Sequence, residues 1–475
     1  MNNYIKPNQR IQAKRNVKFN DKTIDFKINS KFKLSKYKKL KAFVRTYGCQ
    51  ANIIDSELIT YILKTLGFKI VNEISKADLV ILNTCAIRQN AENKVYGEIG
   101  LLNKNRKKNE NFKLIVCGCM AQQEKTYNKL VKNKNVDLVF GTHNIDQLPM
   151  LLADIYKNNT HVYSVKHNKE FLFNYLPRCL QTKHKAFVSI MEGCNNFCTY
   201  CIVPYTRGQQ ISRPKEDILN EVKMLIKNGC KEITLIGQNV NAYGIDFKNK
   251  KYLFKDLLED VAKLKVKRIR FSTSNPWNFD RKIVDVIKKY PNIMPNIHLP
   301  IQSGDNRILK AMNRKMEIKD YIELVQYMKK QIKDLSVTTD LIVAFPNEDK
   351  KAFANTLKLY NTIKFDNAYT FIFSPREGTP AANITNKISE KEKNDRLYKL
   401  NDLVKKYAKL NNEKYLNKTV KVLVDGISKT DKEMLTGYSP QLKVVNFKGK
   451  AKIGDIVKVK INKINRFSLI GKQII

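Results

Sequence analysis

Short runs of consecutive apolar residues, separated by stretches with helical spacing, recur from residue 41 onward. KAFVRTYGC (41–49) reads as a strand ending at a turn, and Asp55 to Leu66 as a helix stopped by Gly67. DLVILNTC (78–85) reads as a buried strand, Ala91 to Lys104 as a helix, and KLIVCGC (113–119) and VDLVFG (136–141) as two further strands. Runs that are apolar throughout, rather than alternating, mark strands covered on both faces. That is the signature of a parallel sheet in an α/β domain. The pattern turns polar and irregular at YKNNTHVYSVKHNKE (156–170), so this domain is expected over 41–157.

Six more apolar runs follow: AFVSIMEG (186–193), EITLIGQ (232–238), RIRFSTS (268–274), NIHLPIQ (296–302), VTTDLIVAFP (337–346) and AYTFIFSP (368–375). Helical patterns separate them. The first of these helices is expected to open at Ser212, as N-cap, with Pro214 in its first turn. Six strand–helix repeats predict a partial (β/α)6 barrel over 180–410. Its active site would lie at the C-terminal ends of the strands. From residue 413 the runs become short and partly alternating, as in TVKVLVDG (419–426) and DIVKVKINKI (455–464), with Gly449 and Gly454 between them. This predicts a small all-β barrel over 413–475. The fold class is thus multidomain α/β with a C-terminal β-module.

Charge adds a partner. The chain of 475 residues carries 88 Lys plus Arg against 44 Asp plus Glu, a net +44. The β-module holds 14 basic and five acidic residues, and residues 1–40 hold 12 basic and two acidic, a basic N-terminal arm. Such an excess suits a polyanion, most simply nucleic acid, although a codon bias toward Lys and Asn would also raise it. No apolar run is long enough to span a bilayer, and the N-terminus has no apolar signal-peptide core. A cytoplasmic location is expected, in which nine reduced cysteines serve as metal ligands or catalytic groups rather than disulfides.

Two cysteine sets carry the chemistry. Cys194, Cys198 and Cys201 form a C-x3-C-x2-C triplet in the loop after the first barrel strand. Three thiolates so close can hold three irons of one cubane and leave the fourth open to a non-protein ligand. Structural zinc wants four ligands, and none of the five histidines follows at a suitable distance. Cys49, Cys85 and Cys119 are far apart in sequence, but each follows a strand of the first domain. Parallel strands deliver their C-terminal ends to one edge, so these three should converge, with Gly48 and Gly118 permitting close backbone approach. Cys117, two residues earlier on its strand, reads as a core residue; Cys179 and Cys230 receive no role.

The triplet after the first strand of a partial barrel resembles the radical S-adenosylmethionine (SAM) superfamily. Two three-cysteine sets followed by a basic β-module resemble, more narrowly, the radical SAM methylthiotransferases. The stretches TYGCQ (46–50), NTCAIRQNAENKVYGEIG (83–100), EGCNNFCTYCIVPYTRG (192–208), IGQNVNAYG (236–244), FSTSNPW (271–277), HLPIQSGD (298–305) and FSPREGTPAA (373–382) resemble the branch that makes 2-methylthio-N6-dimethylallyladenosine in tRNA. Ala344 and Asn347 stand where that pattern has glycines, which puts the backbone around Pro346 in question.

The resemblance implies an enzyme with two 4Fe-4S clusters and SAM. One cluster, on Cys194, Cys198 and Cys201, would cleave SAM to a radical that removes hydrogen from carbon 2 of the adenine at tRNA position 37. The other, on Cys49, Cys85 and Cys119, would supply the methylthio group, itself methylated by a second SAM. It further implies a tRNA substrate gripped by a C-terminal TRAM domain through residues such as Lys448, Lys450 and Lys458. Electron-donor and sulfur-donor proteins are implied as partners of an expected monomer. Phe271, Trp277, Leu299 and Phe373 are expected to form an apolar wall for the prenyl group. The alternatives are a threonylcarbamoyl-adenosine substrate and a non-catalytic iron–sulfur RNA-binding protein.

Overall fold

The computed structural model describes residues 37–86, 89–109, 111–158, 161–164, 178–249 and 251–474. The basic arm therefore lies, up to residue 36, outside the described residues. The chain divides into two compact units. One holds the residues up to Gln181 with Glu192–Asn195 and Cys201–Arg213; the other holds Thr182–Met191, Asn196–Tyr200 and Pro214–Ile475.

The first unit is built on six parallel strands: β1 (Lys41–Thr46), β2 (Lys69–Ile70), β3 (Leu79–Thr84), β4 (Lys113–Gly118), β5 (Leu138–Phe140) and β6 (Val162–Ser164). They lie in the order β2-β1-β3-β4-β5-β6. Every residue of β3 and β4 is buried. Leu79, Ile81, Ile115, Cys117, Leu138 and Phe140 pack into one core, while Val80, Leu82, Leu114, Val116 and Val139 pack into another. Strand side chains alternate between faces, so the sheet is covered on both sides, and a continuous apolar run is what that requires. The sixth strand, β6, falls in the stretch that reads as polar and irregular. It is a three-residue edge strand with no apolar run to announce it. Helix α1 (Gln50–Thr65) starts ahead of the Asp55 expected from periodicity, because Cys49 is its N-cap.

In the second unit, strands β7 (Lys185–Ser189), β8 (Glu232–Ile236) and β9 (Arg268–Phe271) form one parallel sheet. Strands β10 (Asn296–His298), β11 (Ser336–Val343) and β12 (Asn367–Ile372) form another. A single parallel bridge between Ile269 and Ile293 leads from the first sheet toward the second, giving the open six-stranded barrel that the six runs predict. Helix α2 (Lys215–Lys227) is capped by Pro214. Ser212, the expected cap, is instead fully buried in a two-residue strand.

The C-terminal strands β13 (Thr419–Ile427), β14 (Leu435–Tyr438), β15 (Val444–Lys448), β16 (Ile456–Ile464) and β17 (Ser468–Ile474) close into a barrel in the order β13-β14-β15-β17-β16. This module is fastened to the N-terminal ends of the larger barrel's strands. Arg268 donates to the carbonyls of Tyr438 and Lys421, and Arg270 to those of Ser439 and Pro440, at 2.7–3.0 Å. Glu232 lies against both guanidinium groups. Asp425 accepts from His184 at 2.9 Å and from Lys185 at 2.7 Å, and Lys443 pairs with Asp366 at 2.9 Å. Hydrogen bonds from His184 and Lys185 outweigh burial and bring the Asp425 carboxyl down to about 2.

Candidate functional site

The strand order of the first unit places β1 between β2 and β3. The chain therefore reverses direction across the sheet at β1 and β3, and ligands of open α/β sheets bind beyond the strand ends at such a reversal. Cys49 follows β1 and Cys85 follows β3, one on each side of that point; Cys119 follows β4 beside them. The backbone needs glycine to fold so tightly. Gly48 has φ +132°, and a Cβ there would lie 2.6 Å from the Cys85 Cβ. Gly118 has φ +94°, and its Cβ would lie 2.5 Å from the Thr84 carbonyl oxygen.

A buried amide network holds the corner. Asn83 Nδ2 donates to the Asn52 carbonyl and to Ser56 Oγ, at 2.8 and 2.9 Å. Asn52 Nδ2 donates to Asn83 Oδ1 and to the Thr84 carbonyl, and Asn52 Oδ1 accepts from the Cys49 N–H at 3.3 Å. Cys117 lies in the apolar core, as its strand position predicts, so Cys119 is the cysteine at the edge.

Burial pushes the Cys119 thiol up to about 12. Arg207 pulls the other way, and Cys85, Cys49 and Asp55 add to the rise. Cys119 thus lies within electrostatic reach of the other two cysteines. Among the described residues, no three His, Cys, Asp or Glu side chains close on a single ion. Ligands of a cubane each take a different iron and stand further apart than ligands of one ion. Two of the three, Cys85 and Cys119, are buried and Cys49 is half-buried; ionising such a set needs positive charge, which the irons of a cluster would supply. The donor set fits a cluster.

Nothing in the sequence pattern singles out Arg207. It is buried, with Nε donating to Cys119 Sγ at 3.4 Å and Nη2 to Asp55 Oδ2 at 2.6 Å. Against the cost of burial, Asp55, Cys119, Glu192 and Cys49 hold its guanidinium above its usual range. Desolvation lifts Glu192 to about 7, with Arg207 opposing and Asp55 adding to the rise.

The second set follows β7 along the chain. Gly193 has φ +71°, a Cβ there would lie 2.0 Å from the Gln209 carbonyl oxygen, and the Cys194 N–H donates to the Gly208 carbonyl at 3.1 Å. Around Cys198, Asn313 Nδ2 donates to the carbonyls of Asn196 and Phe197, and the Thr199 N–H donates to that of Met312. Arg314, also buried, approaches Cys198 Sγ at 4.0 Å and Tyr200 Oη at 3.4 Å, and stacks 4.5 Å from the Trp277 ring centroid. Its Nε and the Oε1 of Gln238 are buried without hydrogen-bond partners among the described residues, the state of polar atoms that a bound ligand satisfies.

Three of the four residues expected to line a prenyl pocket are committed elsewhere. Phe271 packs edge-on against Phe254, Phe373 packs against Phe345, and Leu299 is fully buried; Trp277 is half-buried and carries Arg314. The backbone at Pro346 keeps the left-handed turn without glycine: φ is +58° at Ala344 and +66° at Asn347. Glu348 accepts from the Ala344 N–H at 2.6 Å and is itself held by Arg396 at 2.8 Å.

Family models match three segments: the Radical SAM superfamily over 188–360, the uncharacterized protein family UPF0004 over 41–141, and the TRAM domain over 413–474. A tRNA-2-methylthio-N(6)-dimethylallyladenosine synthase of Malacoplasma penetrans is 55% identical over 433 residues, covering 91% of this chain and 88% of that protein. The protein of the same name from Bacillus subtilis is 46% identical, covering 99% and 93%. Among solved structures, the radical S-adenosylmethionine methyltransferase TsrM of Kitasatospora setae superposes with a TM-score of 0.55 at 10% identity, covering 72% of this chain and 75% of that one, a likeness of fold. With relatives this similar along nearly its whole length, the chain belongs to the family of the tRNA-2-methylthio-N(6)-dimethylallyladenosine synthases, within the radical SAM superfamily.

Proposed function

We propose that the protein converts N6-dimethylallyladenosine at tRNA position 37 to its 2-methylthio derivative, in the cytoplasm. The radical SAM superfamily works with SAM and a 4Fe-4S cluster, and in this chain Cys194, Cys198 and Cys201 are the ligands we assign to it. We assign a second 4Fe-4S cluster to Cys49, Cys85 and Cys119. The observation that carries this reading is the convergence of those three cysteines beyond the ends of parallel strands at the point where the strand order reverses. When bound, the clusters supply the electron that cleaves SAM and the sulfur that is transferred.

The chain's own residues do the positioning. Gly48 and Gly118 let the cysteine-bearing turns approach, and the Asn52–Asn83 pair fixes their backbone. Gln238 and Arg314 offer buried polar atoms to a ligand at the barrel's strand ends. Lys448, Lys450 and Lys458 are exposed on the small barrel and serve to neutralise tRNA phosphates. Removing residues 413–475 is a poor test of that role. It would strip Arg268 and Arg270 of four carbonyl acceptors and leave buried charge unsatisfied. Charge reversal of the three lysines in the full chain is the cleaner test.

The reconstituted protein with SAM, a reductant and prenylated tRNA should yield 5′-deoxyadenosine and, by nucleoside mass spectrometry, the methylthiolated base. Equal product from tRNA bearing threonylcarbamoyl-adenosine would overturn the substrate. Absence of 5′-deoxyadenosine from an iron-loaded protein would overturn the chemistry.

A further inference from the structure

Arg207 follows Cys201 on the short segment that folds into the first unit, and it makes two contacts that a surface arginine does not make. The residue is 3% exposed. One nitrogen donates to Cys119 Sγ at 3.4 Å, and another donates to Asp55 at 2.6 Å. Asp55 stands on α1, the helix that Cys49 caps. A single buried cation therefore touches a sulfur of one cysteine and a carboxylate carried by the helix of another. A purely structural ion pair has no need of the sulfur contact.

Hydrogen bonds to cluster sulfurs and the net charge around a cluster set its reduction potential. An N–H donated to a ligating thiolate draws electron density from it, and a buried positive charge favours the more negative, reduced state. A neighbouring carboxylate opposes both effects. We propose that Arg207 is a positioning residue that holds up the reduction potential of the cluster carried by Cys49, Cys85 and Cys119, with Asp55 as the counterweight that limits the rise. This inference rests on the assignment of a cluster to those cysteines. It assigns the two residues opposite signs, which distinguishes tuning from mere support of the fold.

The test uses the full chain with Cys194, Cys198 and Cys201 replaced by Ala, so that one cluster remains to titrate. Iron content and a potentiometric titration followed by electron paramagnetic resonance are read on the anaerobically reconstituted protein. Arg207→Gln should move the potential to a more negative value, and Asp55→Asn to a more positive one. Arg207→Lys, which keeps the charge and loses the Nε donor, should fall between Arg207→Gln and the parent. Unchanged potentials, or shifts of the same sign for Arg207→Gln and Asp55→Asn, would overturn the proposal. If Arg207→Gln fails to hold iron, Arg207→Lys decides: iron retained at the parent potential overturns it, and a negative shift supports it. A parent without iron would bring down the cluster assignment itself, and Arg207's role with it.

Discussion

The two cysteine sets are specified in opposite ways. Cys194, Cys198 and Cys201 share one loop, so their proximity is written in local spacing. Cys49, Cys85 and Cys119 come together only because β1, β3 and β4 run parallel and end at one edge. Their electrostatics differ as well. The arginine at Cys119 is balanced by Asp55, whereas the arginine at Cys198 is met by the Trp277 ring, the Tyr200 hydroxyl and the Pro300 carbonyl. A site made by local sequence depends on its own loop. A site made by topology depends on every element that positions the strand ends.

The largest expected effects separate the two sets outright. Cys119→Ala should lose about half the iron and all methylthiolation yet still cleave SAM, while Cys198→Ala should abolish SAM cleavage and leave the other cluster in place. Cys117→Ala should keep both clusters, because its side chain belongs to the core. Loss of iron in Cys117→Ala with retention in Cys119→Ala would misplace the strand end.

Next are the glycines. Gly118→Ala forces a Cβ to within 2.5 Å of the Thr84 carbonyl oxygen at φ +94°, at a cost of about 1–3 kcal/mol in backbone strain alone. Iron at the topological set should fall with stability in denaturant titration, while SAM cleavage persists. The matched Gly193→Ala should do the reverse. Equal damage by both variants to both readouts would dissolve the distinction.

A smaller effect probes ground away from either set. The Asp425 carboxyl, brought from its ordinary 3.8 down to about 2, stabilises the protein fully above pH 3.8, and that contribution is lost as pH falls toward 2. Asp425→Asn should cost about 1–2 kcal/mol at neutral pH, partial exposure having been allowed for, and should flatten the acid limb of a thermal melting profile. Both clusters should keep their iron; parallel loss of iron would tie the β-module to cluster assembly.

The smallest is a gain. Ala344→Gly, at φ +58°, should raise stability by about 1 kcal/mol by relieving a left-handed alanine, with no change in either cluster. A loss of stability would mean that the Ala344 methyl contributes more to packing than its backbone costs.

Much of this architecture was legible in the residues. The six barrel runs, the closed β-module and the strand-end positions of Cys49, Cys85 and Cys119 all follow from periodicity and the geometry of parallel strands. What was not legible depends on partners distant in the chain. Arg207 meets Asp55 across 152 positions, and Arg268 meets Tyr438 across 170. The prenyl wall failed because the side of a short strand that faces the lumen cannot be read from apolarity: Phe271 faces Phe254 on a helix. A usable signal was nevertheless present. The 88 cations comprise 72 Lys and 16 Arg. Arg207, Arg213, Arg268, Arg270, Arg314, Arg376 and Arg396 are buried, against Lys113 and Lys443 among the lysines. In a chain this rich in lysine, an arginine marks a guanidinium whose fork is being used.

The fastening of the β-module to the N-terminal ends of the barrel strands makes the second unit a caliper. The exposed lysines Lys448, Lys450 and Lys458 are held on a body docked at one end of the strands, and the loop with Cys198 emerges at the other. The strands to which the module is fastened, four to six residues long, separate the two ends by about 13–20 Å at roughly 3.3 Å per residue. Under the proposed function, an RNA held by the small barrel and reacting at the Cys198 loop has to bridge at least that span, and an isolated nucleoside should be a poorer substrate than the whole tRNA.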